Sequence, residues 1–145
     1  MIVADANVVL RAFRSRNGAS HAILQRMLRG DIEFAASPAI IFEYEAVLTR
    51  DGALGNHPVF SRAEIEIVLD AICARALTVQ PWFRFRPFLA DPKDDLYIEC
   101  ALAARVGLIV TDDRHFRHPA VAAFGLKVLS AAQYVAQYPK QRKPA

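Results

Sequence analysis

The sequence predicts a single three-layer α/β domain, in which helices cover both faces of a parallel sheet of about five strands. Two observations lead to this fold class. Short apolar segments alternate along the chain with longer segments of helical periodicity, as expected when each strand is followed by a crossover helix. The 145 residues, 54% of them hydrophobic and 23% charged, are enough to bury one core and exclude a disordered chain.

Five short apolar segments predict the strands. Each is rich in aliphatic or β-branched residues and is bounded by Gly, Pro, Asp or Ser, which favour turns and helix starts. In chain order the predicted strands cover residues 2–5, 32–37, 77–81, 107–111 and 126–130.

Helix-start signals lie between these strands. Ser37 precedes Pro38 as an N-cap before a first helical residue, Ser61 with Glu64 forms a capping box, and Ser130 caps the last helix. The predicted helices cover residues 7–14, 20–29, 38–50, 62–75, 95–105 and 131–137, the fifth capped by Asp94 or Asp95, with loops at 51–58 and 82–94.

Composition limits the location of the protein. The net charge of +3 is compatible with a nucleic-acid partner but is weak support alone. Cys73 and Cys100 lie in apolar helical patterns and are expected to be core residues in a reducing compartment. We expect a cytoplasmic protein, because no apolar run is long enough to span a membrane and the N-terminus lacks a signal peptide. We predict a domain over residues 1–138 and a basic tail over 139–145.

Polar residues follow two of the predicted strands. Asp5 and Asn7 come after the first strand, and Asp112 and Asp113 come after the fourth. In parallel sheets the ligand crevice lies outside the carboxyl ends of the strands. These side chains are therefore expected at one edge of the sheet.

Two predicted helices carry further acids. Asp95 and Glu99 share one stripe of an otherwise apolar helix, where an unpaired charge would be costly. Glu43 and Glu45 flank the core face of the helix 38–50, and periodicity does not choose between them. The same pattern places Phe42 on the outer face of that helix.

The acids can converge. Asp5, Asp95 and Asp113, with either Glu43 or Glu45, can meet at one end of the sheet, where their mutual repulsion would require a cation. A hard divalent cation such as Mg²⁺ takes carboxylate oxygens. No zinc-type His–Cys cluster, P-loop or nucleophile elbow is present in the sequence. The chemistry that fits is metal-assisted phosphodiester hydrolysis.

In the order and spacing of its motifs the chain resembles the PIN-domain family of metal-dependent ribonucleases, and within it the VapC-like toxins of toxin–antitoxin systems. The motifs read "DAN", "SPAIIFE", "DPKDD" and "VTDD", and the resemblance runs nearly from end to end. It implies a PIN-like fold and a Mg²⁺- or Mn²⁺-dependent endoribonuclease of a type II toxin–antitoxin pair. The implied partners are an RNA substrate, a cognate antitoxin and a second copy of the chain, for which exposed Phe42 is a loose hint.

The resemblance also assigns residues. It favours Glu43 over Glu45 and Asp95 over Asp94, and it selects Asp113 as the acid after the fourth strand. The implied catalytic and metal-binding set is Asp5, Glu43, Asp95 and Asp113.

Other positions are expected to support that set. Asn7 and Thr111 would orient the substrate or hold the ligands, and Glu99 and Asp112 are further candidates for this role. The chain departs from the family pattern at Ala6, where a hydroxyl is common, and at Asp112, where Gly is common.

Arginines supply the candidate RNA contacts. Arg114 follows the acidic strand end, and Arg84 and Arg86 alternate with aromatic residues in the loop 82–94. That loop is also consistent with packing on the domain or with a dimer contact. His115 is a candidate acid–base group, although a metal-activated water does not require one.

Two other function classes remain open at this point. One is an inactive PIN-fold module that binds RNA or a protein. The other is a phosphoryl-transfer domain with an aspartate nucleophile, which a lysine after a late strand would favour; the sequence has "DDRHF" there instead.

Overall fold

The computed structural model describes residues 1–55, 60–83 and 93–140. The described strands are short and all their pairings are parallel. They are β1 Val3–Ala4, β2 Ala35–Ala36, β3 Leu77–Thr78, β4 Leu108–Val110 and β5 Lys127–Leu129. The helices are α1 Ala6–Arg14, α2 Ala19–Arg29, α3 Pro38–Thr49, α4 Arg62–Arg75, α5 Asp95–Ala103, α6 Pro119–Ala123 and α7 Ala131–Gln137, and a 3-10 turn covers Arg114–Arg117.

The strands form two parallel groups, β1-β4-β5 and β2-β3. A parallel bridge between Ile2 and Phe34 joins the groups. Its hydrogen bonds run from the Ile2 amide to the Glu33 carbonyl, 2.9 Å, and from the Ala35 amide to the Ile2 carbonyl, 2.9 Å. Across this bridge the order is β3-β2-β1-β4-β5, so the direction of winding reverses between β1 and β4. In sheets of this kind the ligand crevice lies at that reversal.

The predicted α/β architecture is confirmed, with helices on both sides of the sheet. One layer contains helices that pack on one another, α1 on α2 and α3, α2 on α4 and α7. On the other side α5 contacts β1, β2 and β4. The core includes the strand residues Val3, Ala4, Ile109 and Val110, all fully buried. Consequently the ends of β1 and β4 are held rigidly in the middle of the domain.

The serine capping signals placed three helix starts correctly. Ser37, Ser61 and Ser130 each accept a hydrogen bond from a backbone amide of the following helix, and the last two form capping boxes. The 3-10 turn and α6 were not predicted. They are only four and five residues long, too short for a periodic apolar pattern to be visible.

The two cysteines differ. Cys100 is buried on α5, and burial raises the pKa of its thiol to about 12, so the thiol stays protonated at neutral pH. Cys73 is exposed, so the prediction of a core position for it was wrong. The buried stripe of α4 is Ile65, Leu69 and Ile72, and Cys73 lies beside that stripe rather than on it.

None of the helices in the described ranges is long and apolar enough to cross a membrane.

Candidate active site

The site lies where β1 and β4 end. Asp5 follows β1, and its amide donates to the Val110 carbonyl at the end of β4, 3.0 Å. Thr111, which follows β4, donates its hydroxyl to Oδ2 of Asp5, 2.7 Å, and accepts a hydrogen bond from the Asp113 amide, 3.0 Å. The Thr111 side chain therefore ties both acidic strand ends together at the reversal point of the sheet.

Asp5 is a buried carboxylate. It is 3% exposed, and this burial, followed by a smaller contribution from the nearby charge of Asp113, raises its pKa. The Thr111 hydroxyl and the Asn7 amide, which donates to Oδ1 at 3.5 Å, favour the charged form and oppose that shift. Because burial is the largest cause, the hydrogen bonds do not fully compensate the charge. A cation beside Asp5 would offset the remaining electrostatic free energy of burying the charged carboxylate.

A second acid, Asp113, lies in a three-residue group. Carboxylate oxygens of Asp94 and Asp113 and a ring nitrogen of His115 all lie within 4.8 Å of one another. Nδ1 of His115 is 3.0 Å from Oδ1 of Asp113, and the His115 amide donates to the same oxygen, 2.9 Å. These atoms are close enough to share one metal ion.

Each of these three acids stands at the start of a helical segment. Asp5 precedes α1, Asp94 precedes α5, and Asp113 precedes the 3-10 turn. The free amides and the dipole of a helix N-terminus favour negative charge. Asp5 and Asp113 each accept a hydrogen bond from a backbone amide at such a helix start.

Glu43 also approaches this point. Its Oε2 lies 3.9 Å from Nζ of Lys93, which directly precedes Asp94, and Glu43 lies close enough to raise the pKa of Tyr97 slightly. Glu45, on the opposite flank of α3, is exposed. The structure therefore orients Glu43, and not Glu45, toward the start of α5.

Asp95 and Glu99 are buried on α5, one turn apart. Neither belongs to the three-residue group, which contains Asp94 instead. The choice of Asp95 as the ligand stays a prediction, and the structure adds Asp94 as a candidate beside it.

Sequence reasoning missed two tyrosines that hold the backbone around Asp5. The Tyr44 hydroxyl donates to the Ala4 carbonyl, 2.6 Å, and the Tyr97 hydroxyl accepts from the Ala6 amide, 3.1 Å. Burial raises the pKa of both phenols, so both stay neutral. The available signal was an aromatic residue with a polar tip on a core helix face, because such a tip needs a partner when it is buried.

The remaining predicted residues are spread around the site. Asn7 is exposed at the first turn of α1, and Arg114 is exposed on the 3-10 turn. Asp112 points away from the group and links α1 to α7. Its Oδ2 lies 2.6 Å from Nη1 of Arg11 on α1, and its Oδ1 accepts a hydrogen bond from the Ala131 amide at the start of α7, 3.2 Å. Arg84 and Arg86 lie outside the described residues.

Comparison with known families decides the assignment. A family model described as the PIN domain matches residues 1–115, most of the chain. The chain belongs to the PIN-domain family. PIN domains are generally metal-dependent nucleases, and this PIN domain contains a group, Asp94, Asp113 and His115, that could hold a metal ion. A search of curated proteins finds no match to the chain.

The donor set of this PIN domain fits a divalent cation. Carboxylates of Asp94 and Asp113 lie in one group, and buried Asp5 is joined to Asp113 through Thr111. Carboxylate oxygens suit hard divalent ions, and the electrostatic cost of burying Asp5 is the kind that such an ion offsets.

Proposed function

We propose that this PIN domain is a divalent-metal-dependent endoribonuclease that acts as the toxin of a type II toxin–antitoxin pair. The observation that carries the nuclease part is the group of Asp94, Asp113 and His115 at the end of β4. Thr111 joins Asp113 of this group to buried Asp5, and Glu43 faces the start of α5. The motifs "DAN", "SPAIIFE", "DPKDD" and "VTDD" support the toxin part.

Asp5, Asp113 and Asp94 or Asp95 would hold Mg²⁺ or Mn²⁺, with Glu43 at the edge of the site. When bound, such an ion lowers the pKa of a water and stabilises charge on the phosphate and the leaving oxygen. Thr111 keeps Asp5 and Asp113 at a fixed spacing, because one hydroxyl bonds to both. The start of α1 favours the negative charge of a phosphate nearby.

RNA is the proposed substrate. Arg114 is exposed next to Asp113, and Lys93 is exposed next to Asp94, so cations flank the acids at two places where a phosphate could lie. Both would contribute affinity without sequence preference, because they contact the backbone of the nucleic acid. We propose that the protein acts in the cytoplasm, because cellular RNA is found there.

The proposed protein partners are a cognate antitoxin and a second copy of the chain. Phe42 supports such an interface, since it is 70% exposed on α3, a helix whose opposite face is buried. Because a single exposed aromatic is common on protein surfaces, Phe42 marks a position at which to test for such an interface.

The test is cleavage of single-stranded RNA with Mg²⁺ or Mn²⁺ by the purified wild type, by Asp5→Asn and by Glu43→Gln. Glu45→Gln is the matched control, because Glu45 lies on the same helix and faces solvent. We expect cleavage that EDTA abolishes, a loss of about a hundred-fold or more in the first two variants and full activity in the control. RNA binding without cleavage by the wild type would instead identify an inactive PIN-fold binding module.

The toxin role has its own test. Induced expression of the wild type in a bacterial host is expected to arrest growth, and expression of Asp5→Asn is not. Growth arrest by both proteins, or by neither, would contradict the toxin role while leaving the nuclease result intact.

A further inference from the structure

The group at the end of β4 contains a nitrogen donor among its oxygens. A ring nitrogen of His115 lies within 4.8 Å of the carboxylate oxygens of Asp94 and Asp113. Aspartates and glutamates alone would give an all-oxygen site. The presence of an imidazole changes the chemistry that the site prefers.

The backbone holds His115 in this position. Asp113 is the N-cap of the 3-10 turn, and its Oδ1 accepts a hydrogen bond from the His115 amide, 2.9 Å. Nδ1 of the ring lies 3.0 Å from the same oxygen. When the ring proton is on Nε2, the lone pair of Nδ1 faces the carboxylate oxygens, so Nδ1 and Oδ1 of Asp113 can be neighbouring ligands of one ion.

The identity of the donors decides between the candidate ions. Mg²⁺ takes oxygen ligands in near-octahedral geometry and keeps several waters, so an imidazole ligand adds little to its binding affinity. First-row transition ions accept imidazole together with carboxylates, and Mn²⁺ is the member of that series closest to Mg²⁺ in its preference for oxygen.

We infer that His115 is a metal-selectivity residue, which supplies a nitrogen ligand and makes the site prefer Mn²⁺ to Mg²⁺. This role rests on the proposed metal-dependent function and specifies the ion that the site selects. The His115 side chain is 55% exposed, so an ion can reach the ring from solvent.

The experiment measures ion binding, not activity. Mn²⁺ and Mg²⁺ are titrated by calorimetry into the full chain as wild type, His115→Asn and His118→Asn. His118 is the matched control, because it is an exposed histidine three residues further along, at the start of α6. We expect the wild type to bind Mn²⁺ at least about ten-fold more tightly than Mg²⁺, and His115→Asn to lose about ten-fold of the Mn²⁺ affinity alone. His118→Asn should keep the wild-type ratio.

A spectroscopic measurement on the wild type does not require that any variant folds. Electron spin echo modulation of the Mn²⁺-loaded wild type should contain the couplings of a directly bound imidazole nitrogen. Absence of those couplings, or an unchanged Mn²⁺-to-Mg²⁺ affinity ratio in His115→Asn, overturns the inference. In that outcome RNA cleavage that depends on Asp5 would still support the proposed nuclease, so the two failures are distinguishable.

Discussion

Asp112 and Asp113 are neighbours in sequence and opposites in environment. Asp112 has both carboxylate oxygens engaged by the protein, one by Arg11 and one by the Ala131 amide. Asp113 shares its surroundings with two further carboxylates, Asp94 in the same group and Asp5 across Thr111. The backbone is extended at this point, so successive side chains point to opposite sides. The same residue type therefore serves as a structural tie on one side and as a candidate ligand on the other.

The difference concerns the source of the compensating charge. The fold itself supplies a cation to Asp112. On the inner side Asp5 instead receives hydrogen bonds from an amide and a hydroxyl, and burial still raises its pKa. An acid that the protein compensates is part of the structure, whereas acids that it leaves partly uncompensated are available to an external cation.

The largest expected effect separates the two neighbours. Asp113→Asn should weaken Mn²⁺ or Mg²⁺ binding by about a hundred-fold, because it removes a charged ligand, and Asp112→Asn should weaken it by only about two- or three-fold. Calorimetric titration of both variants measures this. Equal losses in the two variants would show that Asp112 belongs to the site.

Thr111→Val removes the link between the acids without a large change in volume. The variant leaves Oδ2 of Asp5 and the Asp113 amide without their hydroxyl partner. We expect metal affinity to fall by about ten-fold and the free energy of unfolding to fall by about 1–3 kcal/mol. Thr111→Ser, which keeps the hydroxyl, should retain most of the affinity, and a loss equal to that of the valine variant would refute the role of the hydrogen bonds.

Asp5→Asn should stabilise the metal-free protein. The folded-state pKa of Asp5 is raised, so between the unfolded and the folded pKa the folded state binds more protons, and stability falls as the pH rises through that window. Asparagine carries no charge and escapes this loss. At neutral pH the Tm of the variant should exceed that of the wild type, by about 3 °C for each 1 kcal/mol gained in a domain of this size.

Thermal melts at acid and neutral pH, with and without Mn²⁺, check that expectation. The Tm difference should shrink at acid pH, where the wild-type carboxyl is protonated, and should shrink or reverse with Mn²⁺, which binds the wild type. A variant less stable than the metal-free wild type at neutral pH would contradict the account of Asp5.

The smallest effect is expected on the outer side. Arg11→Gln breaks the ion pair with Asp112, but the Arg11 side chain is 58% exposed and water screens the pair. We expect a loss of less than about 1 kcal/mol in the free energy of unfolding, decreasing further at high salt. Denaturant unfolding at two salt concentrations measures it, and a loss of several kcal/mol would mean that the pair holds the strand end in place.

The fold was readable from the sequence because its signals are local. Ser61 with Glu64, and Ser130 as a cap, marked two helix starts, and apolar runs marked the buried strands. The site was readable in part, since strand ends identify Asp5 and the pair Asp112 and Asp113 without knowledge of the tertiary structure, and the family resemblance selects Asp113 from that pair. The contribution of Asp94 was not readable, because Asp94 and Asp95 are adjacent at a helix start and only the packing of α5 separates them.

The pairing of Asp112 with Arg11 was equally hidden. These residues lie 101 positions apart in the chain, and the sequence alone suggested that Asp112 would add an acid near the site. Long-range ion pairs have no periodic signature, so the structural role of Asp112 required coordinates.

The most direct measurement is the anomalous difference density of a crystal grown with Mn²⁺. The account predicts one strong peak at the ends of β1 and β4, within bonding distance of Asp5 or Asp113 and of Asp94 or Asp95, with Asp112 still bonded to Arg11. A crystal with no peak there, or with the ion bound at Asp112, would contradict it.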